Sequence, residues 1–359
     1  MNIVAKIEGQ SEIIVENIVW YNIADSQVNV YGFDNIGSEL LSQRIPRKVA
    51  ENVSEKVLSQ SGYAAGGRVR FWTDSKSITI KAEFGAGYHA TCLSACAAYG
   101  LDLYILDEAG KETFFHTFRP PKNEMNYQTF QSAVDTQEVL VQQTEINGIF
   151  YTLNLPGFVE IKQLCIGLDA GSNIDYGKKY KNENPVIFYG SSITHGAAAS
   201  HPGNTYEALI SQKYNLNYVN LGFAGAALGE REMAQYIADR EMHAFVCDYD
   251  HNSPSLEHLM KTHYAFYDIV RQKHPDIPYI MVTRPDFRRN IEDSEKRKII
   301  IYSSYKRAIK HGDKNVYFID GETLFDGDYY MSCTVDDVHP NDLGFFRMAE
   351  KIGKLLKNI

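Results

Sequence analysis

The hydrophobic pattern of this chain changes near residue 170, and this change constrains the fold more than any other feature. Before it, apolar side chains recur mostly at every second position, as in "GRVRFWTDSKSITIKAEF", "GLDLYILD" and "IFYTLNLP". Val69 and Phe71, then Ile78 and Ile80, alternate with charged or hydroxyl residues, as in strands with one buried face. A helical period occurs at "PRKVAENVSEKVLSQ". The first part of the chain is therefore predicted to be an all-β sandwich, similar to a jelly roll.

Beyond residue 185 short apolar segments alternate with helical patterns. The apolar segments are "VIFYG", "YVNLG", "AFVCDYD", "YIMVT" and "VYFID". Five strands of this kind with helices between them predict a parallel, doubly wound sheet that is covered on both faces. In the last helical segment Phe345, Met348, Ile352 and Leu355 recur at intervals of three and four residues, so we expect them to share one buried face.

The segment between the two patterns, "DAGSNIDYGKKYKNENP", is polar, contains glycine and has no period. Such a composition is typical of a link between domains. We therefore predict a β-sandwich domain at 1–172, a linker at 173–184 and an α/β domain at 185–359. The length of 359 residues, at about 150 residues per domain, also suggests two domains.

Composition and charge exclude several classes of partner. A net charge of -9 argues against nucleic acid or an anionic membrane, which attract clustered Lys and Arg. No stretch has the roughly 18 apolar residues of a membrane span, and the start of the chain lacks the pattern of a signal peptide. We expect a cytoplasmic protein, although a secreted or periplasmic mature form stays open. Five scattered cysteines indicate neither a disulfide scaffold nor a zinc site, and no cofactor is expected.

Polar groups suited to serine catalysis follow the first and last strands. "PVIFYGSSITHG" runs from a strand into Ser191 and Ser192. A serine nucleophile needs a base, a carboxylate that orients the base, and donors for an oxyanion. "TVDDVHPND" places Asp336 and His339 three residues apart before the last helix. On a turn, a carboxylate at this offset can fold back to the imidazole and fix its tautomer.

Two other strand ends offer hydrogen-bond donors. "VNLGFAGA" ends the second strand with Gly222 and Gly225, where bare backbone N–H groups can approach a ligand. "CDYDHNSP" ends the third strand with Asn252, an amide donor. Since ligands of doubly wound sheets bind beyond the carboxyl ends of the strands, we expect all four segments to meet there. Each residue also has a plainer interpretation as a helix cap or a turn residue.

In this order, "GSSIT", "NLGFAG", "DYDHN" and "DDVHPNDLG" resemble the four motif blocks of the SGNH (GDSL-type) hydrolase superfamily. The first part, with "RIP", "GGRVRFWTDS" and "GLDLY", resembles the β-domain that precedes the hydrolase domain in one subgroup. The resemblance covers most of the chain. It implies a three-layer, flavodoxin-like hydrolase domain with a five-stranded parallel sheet.

The resemblance also implies roles for individual residues. Ser192 is expected to be the nucleophile, His339 the general base and then acid, and Asp336 the residue that orients His339. The oxyanion hole is expected to consist of the backbone N–H groups of Ser192 and Gly225 and the side-chain amide of Asn252.

The sequence departs from the family pattern in two blocks, and alternatives remain. The usual Gly-Asp-Ser is Gly190-Ser191-Ser192 here, which leaves open attack by Ser191. "DYDHNS" lacks the glycine and the following aspartate of the usual Gly-x-Asn-Asp. The nucleophile elbow of the α/β-hydrolase fold requires Gly-x-Ser-x-Gly, and Thr194 replaces its last glycine. Asp336, Asp337 and His339 could instead bind a metal ion, but the sequence shows no further cluster of ligands.

The predicted function is a serine esterase that hydrolyses small esters, acetyl esters above all, on a carbohydrate or glycoside. His195, Arg284 and Arg44 are candidates for the pocket, with Arg44 at its rim. An acyltransferase with the same triad and a non-catalytic glycan-binding protein are the alternatives. The expected partner is a small-molecule or glycan ester, and homo-oligomerisation stays open.

Overall fold

The computed structural model describes residues 3–5, 13–15, 17–34, 41–120, 129–135 and 148–358. The start of the chain, on which the expectation about a signal peptide rests, lies mostly outside these ranges. The strands of the first part are β1 (Ile3–Ala5), β2 (Ile13–Val15), β3 (Ile18–Asn22), β4 (Asn29–Tyr31), β5 (Arg68–Thr73), β6 (Ser77–Gly87), β7 (Leu101–Leu106), β8 (Glu112–Phe118), β9 (Thr129–Asp135), β10 (Ile149–Asn154), β11 (Val159–Asp169) and β12 (Ile174–Tyr176).

Two of the antiparallel sheets in the described residues form the predicted sandwich. One has the order β12-β5-β10-β7-β8 with β4 also paired to β5, and the other has the order β3-β11-β6-β9. Val69 and Phe71 on β5 and Ile78 and Ile80 on β6 are fully buried in the same core. Because these strands belong to opposite sheets, their alternating apolar faces meet, which confirms the prediction from the period of two. A separate pair, β1 with β2, lies outside both sheets.

The predicted helical stretch of the first part forms two short helices. These are α1 (Arg47–Val53) and α2 (Glu55–Ser61), and a third, α3 (Ala95–Tyr99), follows β6. Ser54 has an extended backbone, and its side chain accepts a hydrogen bond from the N–H of Val57. This N-cap ends one helix and begins the next.

The second part is the predicted parallel sheet with helices on both faces. Its elements are β13 (Asn182–Gly190), α4 (Ser192–His195), α5 (Tyr206–Tyr214), β14 (Leu216–Gly222), α6 (Arg231–Ala238), β15 (Ala244–Asp248), α7 (Leu256–Lys273), β16 (Tyr279–Val282), α8 (Ile291–Lys310), β17 (Val316–Ile319) and α9 (Asp342–Leu356). The strand order is β14-β13-β15-β16-β17, which is the flavodoxin-like order. Successive side chains of β13 enter different cores, Ile187 on one face of the sheet and Phe188 on the other.

The last helix buries the predicted face. Phe345, Met348 and Ile352 are fully buried, while Leu355 is half-buried at the edge of the same core. None of the helices in the described ranges combines the length and the apolar composition that crossing a bilayer requires.

The segment 173–184 contains regular structure. The three-residue strand β12 pairs with β5 of the sandwich, and β13 already begins at Asn182. Buried contacts also join the two parts, since the Arg68 guanidinium donates to Asn217 Oδ1 at 2.8 Å and to the carbonyl oxygen of Tyr218 at 3.0 Å. The division into two domains joined by a linker stays a prediction.

Candidate active site

Ser191 and Ser192 lie where β13 ends and α4 begins, and their side chains have different neighbours. Ser191 is fully buried, and its Oγ accepts a hydrogen bond from the N–H of Ile193 at 3.1 Å, as an N-cap does. Ser192 is the first residue of α4 and is half-buried. The hydroxyl of Ser192 is therefore the more accessible of the two at the carboxyl edge of the sheet.

Two glycines allow α4 to pack closely on the strand ends. A Cβ at Gly190 would lie 2.1 Å from Thr194 Oγ1 and 2.5 Å from the carbonyl oxygen of Asp248. Gly222 pairs with Gly190 in the sheet, and a Cβ at Gly222 would lie 2.1 Å from the backbone nitrogen of His195. Residues with side chains would push α4, and Ser192 with it, away from the sheet.

The structure brings Ser192, His339 and Asp336 together. His339 Nε2 lies 2.9 Å from Ser192 Oγ, and His339 Nδ1 lies 2.8 Å from Asp336 Oδ2. Asp336 Oδ1 also accepts a hydrogen bond from the backbone N–H of His339 at 2.8 Å. With the Nδ1 proton directed at the carboxylate, Nε2 is the nitrogen that can accept the proton of the serine hydroxyl.

The loop that carries Asp336 and His339, residues 334–340, is tightly turned. Thr334 and Pro340 form an isolated β-bridge, and Asp337 has a left-handed backbone at φ 65°. Burial would raise the pKa of Asp336, but the hydrogen bonds from the backbone and ring of His339 outweigh it and lower the pKa. Asp336 is therefore ionised at neutral pH, as an orienting carboxylate must be.

Gly225 and Asn252 come from the loops after β14 and β15. Gly225 has φ 63°, a backbone conformation that favours glycine. Asn252 Nδ2 donates to the carbonyl oxygen of Phe223 at 3.0 Å, and the N–H of Ala226 donates to the same oxygen at 3.0 Å. This shared acceptor joins the two loops. The amide of Asn252 carries a second hydrogen that this bond does not use.

Helix α2 of the first part holds the loop of Gly225. The side chain of Gln60 forms two hydrogen bonds with the backbone of Ala224, from Nε2 to the carbonyl oxygen at 2.9 Å and from the N–H to Oε1 at 2.7 Å. Lys56 Nζ lies 3.5 Å from the carbonyl oxygen of Gly225. The position of this predicted oxyanion donor therefore depends on both parts of the chain.

Arg44 was expected at the rim of the pocket, and the structure places it in the interior. The side chain is fully buried, and its guanidinium donates to the carbonyl oxygen of Gly222 at 2.7 Å and to that of Gln60 at 2.7 Å. It also lies 4.7 Å from the ring centroid of Phe223. A side chain without exposed surface cannot line a rim. Arg44 supports the end of β14 from the interior of the protein, through its hydrogen bond to Gly222.

Arg284, the second pocket candidate, is buried and holds the turn that ends in Asn252. Its backbone N–H donates to Asp250 Oδ2 at 3.0 Å, and its guanidinium donates to Asp293 Oδ2 at 2.8 Å. Arg297 donates to the carbonyl oxygen of Asp250 at 2.9 Å. Together these bonds fix the 3₁₀ turn that ends in Asn252.

His195 packs against the first part of the chain. Its ring stacks on Phe158 at 4.2 Å between centroids, and its Nε2 lies 2.9 Å from the carbonyl oxygen of Gly157. Burial and the nearby guanidinium of Arg44 lower the pKa of His195 well below its usual value. His195 is therefore a neutral, buried contact between the two parts.

Cys92, in the segment after β6, lies next to the His–Asp pair. Its Sγ, a carboxylate oxygen of Asp336 and a ring nitrogen of His339 all lie within 4.8 Å of one another. Burial and the charge of Asp336 raise the pKa of the Cys92 thiol. Asp337, which the sequence grouped with Asp336 and His339 as metal ligands, does not belong to this cluster.

Sequence reasoning missed Cys92, Gln60 and Arg297. Cys92 and Gln60 lie beside residues more than 100 positions away in the chain, and such contacts produce no local motif or period. Arg297 lies on α8 among exposed charged residues, and only its burial separates it from them.

Comparisons with known proteins agree with this architecture. The profile of the GDSL-like lipase/acylhydrolase family matches residues 183–357, and GxDLY, described as the N-terminus of Esterase_SGNH_hydro-type, matches residues 18–174. The structure of a candidate GDSL-like lipase from Bacteroides ovatus ATCC 8483 is 30% identical, covers 95% of this chain and 98% of its own, and has a TM-score of 0.81. No protein with a curated description matches the chain.

Two further solved structures are similar at lower identity. The salicylyl-acyltransferase SsfX3 from a tetracycline biosynthetic pathway is 19% identical, with a TM-score of 0.73 over 93% of this chain and 95% of its own. An acetyl xylan esterase, Est2A, from the rumen bacterium Butyrivibrio proteoclasticus is 12% identical. Its TM-score is 0.61, and the match covers 96% of this chain and 98% of its own. At these identities the likeness establishes the fold alone.

A β-sandwich followed by a flavodoxin-like α/β unit defines a class, the SGNH hydrolases with an N-terminal β-domain. This chain belongs to the GDSL-like lipase/acylhydrolase family within that class, as its motif blocks predicted. It is accordingly an esterase or acylhydrolase.

Proposed function

We propose that this protein is a serine esterase that removes small acyl groups, acetyl above all, from a carbohydrate or glycoside. The observation that carries the proposal is the hydrogen-bonded series from Ser192 through His339 to Asp336, with distances of 2.9 Å and 2.8 Å. A hydroxyl, an imidazole and an ionised carboxylate in this order support nucleophilic acyl transfer.

The proposed reaction has two steps. Ser192 Oγ attacks the ester carbonyl while His339 Nε2 takes its proton, and the oxyanion is held by the N–H groups of Ser192 and Gly225 and by the Asn252 amide. The imidazolium then protonates the departing alcohol, which leaves an acyl-enzyme. His339 next deprotonates a water molecule, which attacks the acyl-enzyme. The imidazolium then returns this proton to Ser192 Oγ as the acyl–oxygen bond breaks and the carboxylic acid leaves.

A cavity of about 260 Å³ beside the loop 334–340 supports an alcohol with a sugar ring. Thr334 and Asp337 line it from that loop, and Tyr330 and Met331 line it from the segment just before. Tyr330 is 40% exposed, and the guanidinium of Arg288 lies 4.4 Å from its ring centroid. An exposed aromatic ring beside polar groups suits the apolar face and the hydroxyls of a sugar.

The test of the nucleophile compares two adjacent serines. We expect Ser192→Ala to abolish organophosphonate labelling and nearly all turnover of 4-nitrophenyl acetate. We expect Ser191→Ala, which removes only a helix cap, to retain labelling and to lose about 1 kcal/mol of stability. Labelling that survives in Ser192→Ala and disappears in Ser191→Ala would move the nucleophile by one residue. Unchanged labelling in both would end the proposal.

The substrate class is tested separately with acetylated xylan, acetylated monosaccharides and long-chain triglycerides. We expect acetate release from the sugar esters at the highest kcat/KM. A preference for triglycerides would contradict the carbohydrate assignment without affecting the triad, and binding of glycans without any turnover would indicate a non-catalytic glycan-binding protein.

A second candidate function is acyl transfer to an alcohol. It is favoured by the likeness in fold to a salicylyl-acyltransferase, because the same acyl-enzyme can react with an alcohol instead of water. Product analysis with added sugar or phenol acceptors separates the two. More acylated acceptor than free acid at a modest acceptor concentration would identify a transferase.

A further inference from the structure

Three metal-binding side chains from both parts of the chain meet beside Ser192. Cys92 lies in the segment after β6 of the sandwich, and Asp336 and His339 lie in the loop before α9. One ligand atom from each, Cys92 Sγ, an Asp336 carboxylate oxygen and a His339 ring nitrogen, lies within 4.8 Å of the other two.

Contacts between the two parts hold Cys92 in this position. Two residues later, Ser94 Oγ donates to the carbonyl oxygen of Ser200 at 2.8 Å, and the N–H of Ser200 donates to Asp342 Oδ1 at 2.9 Å. Asp342 is the first residue of α9, two residues after the end of the loop that carries His339. Leu93, next to Cys92, is buried in the sandwich core. The segment of Cys92 is therefore tied to the base of the loop that carries the other two ligands.

The donor set matches a borderline-soft divalent cation. Thiolate, imidazole and carboxylate are the ligands of Zn²⁺ in proteins, and its tetrahedral geometry separates neighbouring ligand atoms by about 3.5 Å. The ligand atoms are at most 4.8 Å apart, so small side-chain rotations bring them to that distance. Asp336 is exposed, and Cys92 and His339 are half-buried. A thiolate and a carboxylate together supply two negative charges, which balance the charge of the ion.

We propose that Cys92, Asp336 and His339 form a binding site for Zn²⁺ or Cd²⁺, and that occupation of the site inhibits the enzyme. A ring nitrogen of His339 that binds a metal ion no longer serves the proton transfers of the triad, and a bound Asp336 carboxylate no longer orients the ring. The fourth position of the metal is left for water. The inhibition rests on the proposed esterase function, whereas the metal site itself does not.

Binding is tested on the full chain with the metal alone. Calorimetric titration with Zn²⁺ measures affinity and stoichiometry, and Co²⁺ reports a thiolate ligand through its charge-transfer absorption. We expect one equivalent to bind to the parent protein and to Cys96→Ser, a matched control four residues away and outside the cluster. Cys92→Ser should bind Zn²⁺ at least about tenfold more weakly and lose the Co²⁺–thiolate band, because a hydroxyl is a poor ligand for both ions.

Inhibition is tested by turnover of 4-nitrophenyl acetate, expressed relative to the metal-free rate of each variant. We expect Zn²⁺ to inhibit the parent protein and Cys96→Ser at the concentrations at which it binds, and Cys92→Ser to need at least about tenfold more. Cys92→Ala provides a second variant, and melting curves confirm that each variant is folded.

Three results would overturn the proposal: no binding of Zn²⁺ by the parent protein, binding of Zn²⁺ without a Co²⁺–thiolate band, or equal Zn²⁺ affinity in Cys92→Ser and the parent. If neither the parent nor any variant hydrolyses an ester, the esterase assignment fails. The Zn²⁺ titrations still show whether the metal site exists, so the two failures can be told apart.

Discussion

At the scale of the residue, Asp336 organises both the loop and the ring of the candidate triad. Its Oδ2 faces His339 Nδ1, while its Oδ1 accepts backbone N–H groups from His339 at 2.8 Å and from Val338 at 3.3 Å. The same carboxylate that fixes the tautomer of the imidazole therefore also fixes the turn on which the imidazole sits. An amide at this position has one acceptor oxygen and could also donate to Nδ1, which favours the wrong tautomer.

We therefore expect Asp336→Asn to lower kcat for 4-nitrophenyl acetate by about 10²- to 10⁴-fold, with a smaller change in KM. Asp328→Asn, at an exposed position shortly before the same loop, is the matched control, and we expect its kcat to stay within about threefold of the parent. Stopped assays at several substrate concentrations separate kcat from KM. Equal losses in the two variants would contradict the role given to Asp336.

Ser192, His339 and Asp336 were predicted to be neighbours, and they are. They were predictable because they lie in segments that follow strands of the parallel sheet. The strand order brings these ends to one edge, so Ser192 and the loop of His339 meet there. Two of the pocket candidates, Arg44 and Arg284, lie in the interior, where sequence reasoning did not place them. The sequence does not show whether an arginine is exposed or has its charge paired in the interior. Arg44 and Arg284 are both buried, and both form hydrogen bonds with backbone or side-chain partners.

At the scale of the element, long apolar runs were predictable and short edge elements were not. β13 to β17 each contain an apolar segment that was recognisable in the sequence, because both faces of their sheet are covered. β12 has only three residues, two of them exposed, so no hydrophobic period marks it within 173–184. The break between α1 and α2 at Ser54 was missed because the apolar spacing continues across it.

The hydrogen bonds from α2 to the loop of Gly225 predict that a residue outside the α/β part controls catalysis. Gln60→Ala removes both bonds to Ala224 and lets the loop move. We expect kcat to fall about tenfold with little change in KM, since a displaced donor stabilises the oxyanion less while ground-state binding is unaffected.

Ser59→Ala, at an exposed position on the same helix, is the control for this prediction and should keep the kcat of the parent. Steady-state kinetics with 4-nitrophenyl acetate and a melting curve for each variant make the comparison. A Gln60→Ala variant that melts with the parent and retains full kcat would show that the loop does not depend on α2.

At the scale of the whole molecule, buried arginines connect the sandwich to β14. Arg68 on β5 lies with its guanidinium 3.7 Å from the ring centroid of Tyr218 and donates to Asn217. Arg44 reaches the last residue of the same strand, Gly222. A buried cation that loses its partners costs several kcal/mol, so the two parts stabilise each other. The β part thus supports the strand that leads into the loop of Gly225.

The stability of the whole molecule should also depend on pH through a buried histidine. His263 on α7 is buried next to Tyr249 of one α/β core, and burial lowers its pKa to about 4. The ring stacks on Tyr249, and Nδ1 has no hydrogen-bond partner within the described residues. The unfolded chain, with a histidine pKa near 6.5, binds a proton that the folded chain excludes between about pH 6.5 and 4. Stability is therefore full above about pH 6.5 and is lost as the pH falls toward 4.

From these two pKa values, His263 should account for a loss of about 2 kcal/mol of unfolding free energy between about pH 7 and pH 5. Urea unfolding of the parent and of His263→Leu at both pH values measures this loss of unfolding free energy. Between these pH values we expect His263→Leu to lose about 2 kcal/mol less unfolding free energy than the parent. His311→Leu replaces an exposed histidine at the end of α8 and should retain the pH dependence of the parent. Parallel losses in all three proteins would mean that the acid sensitivity originates in other groups.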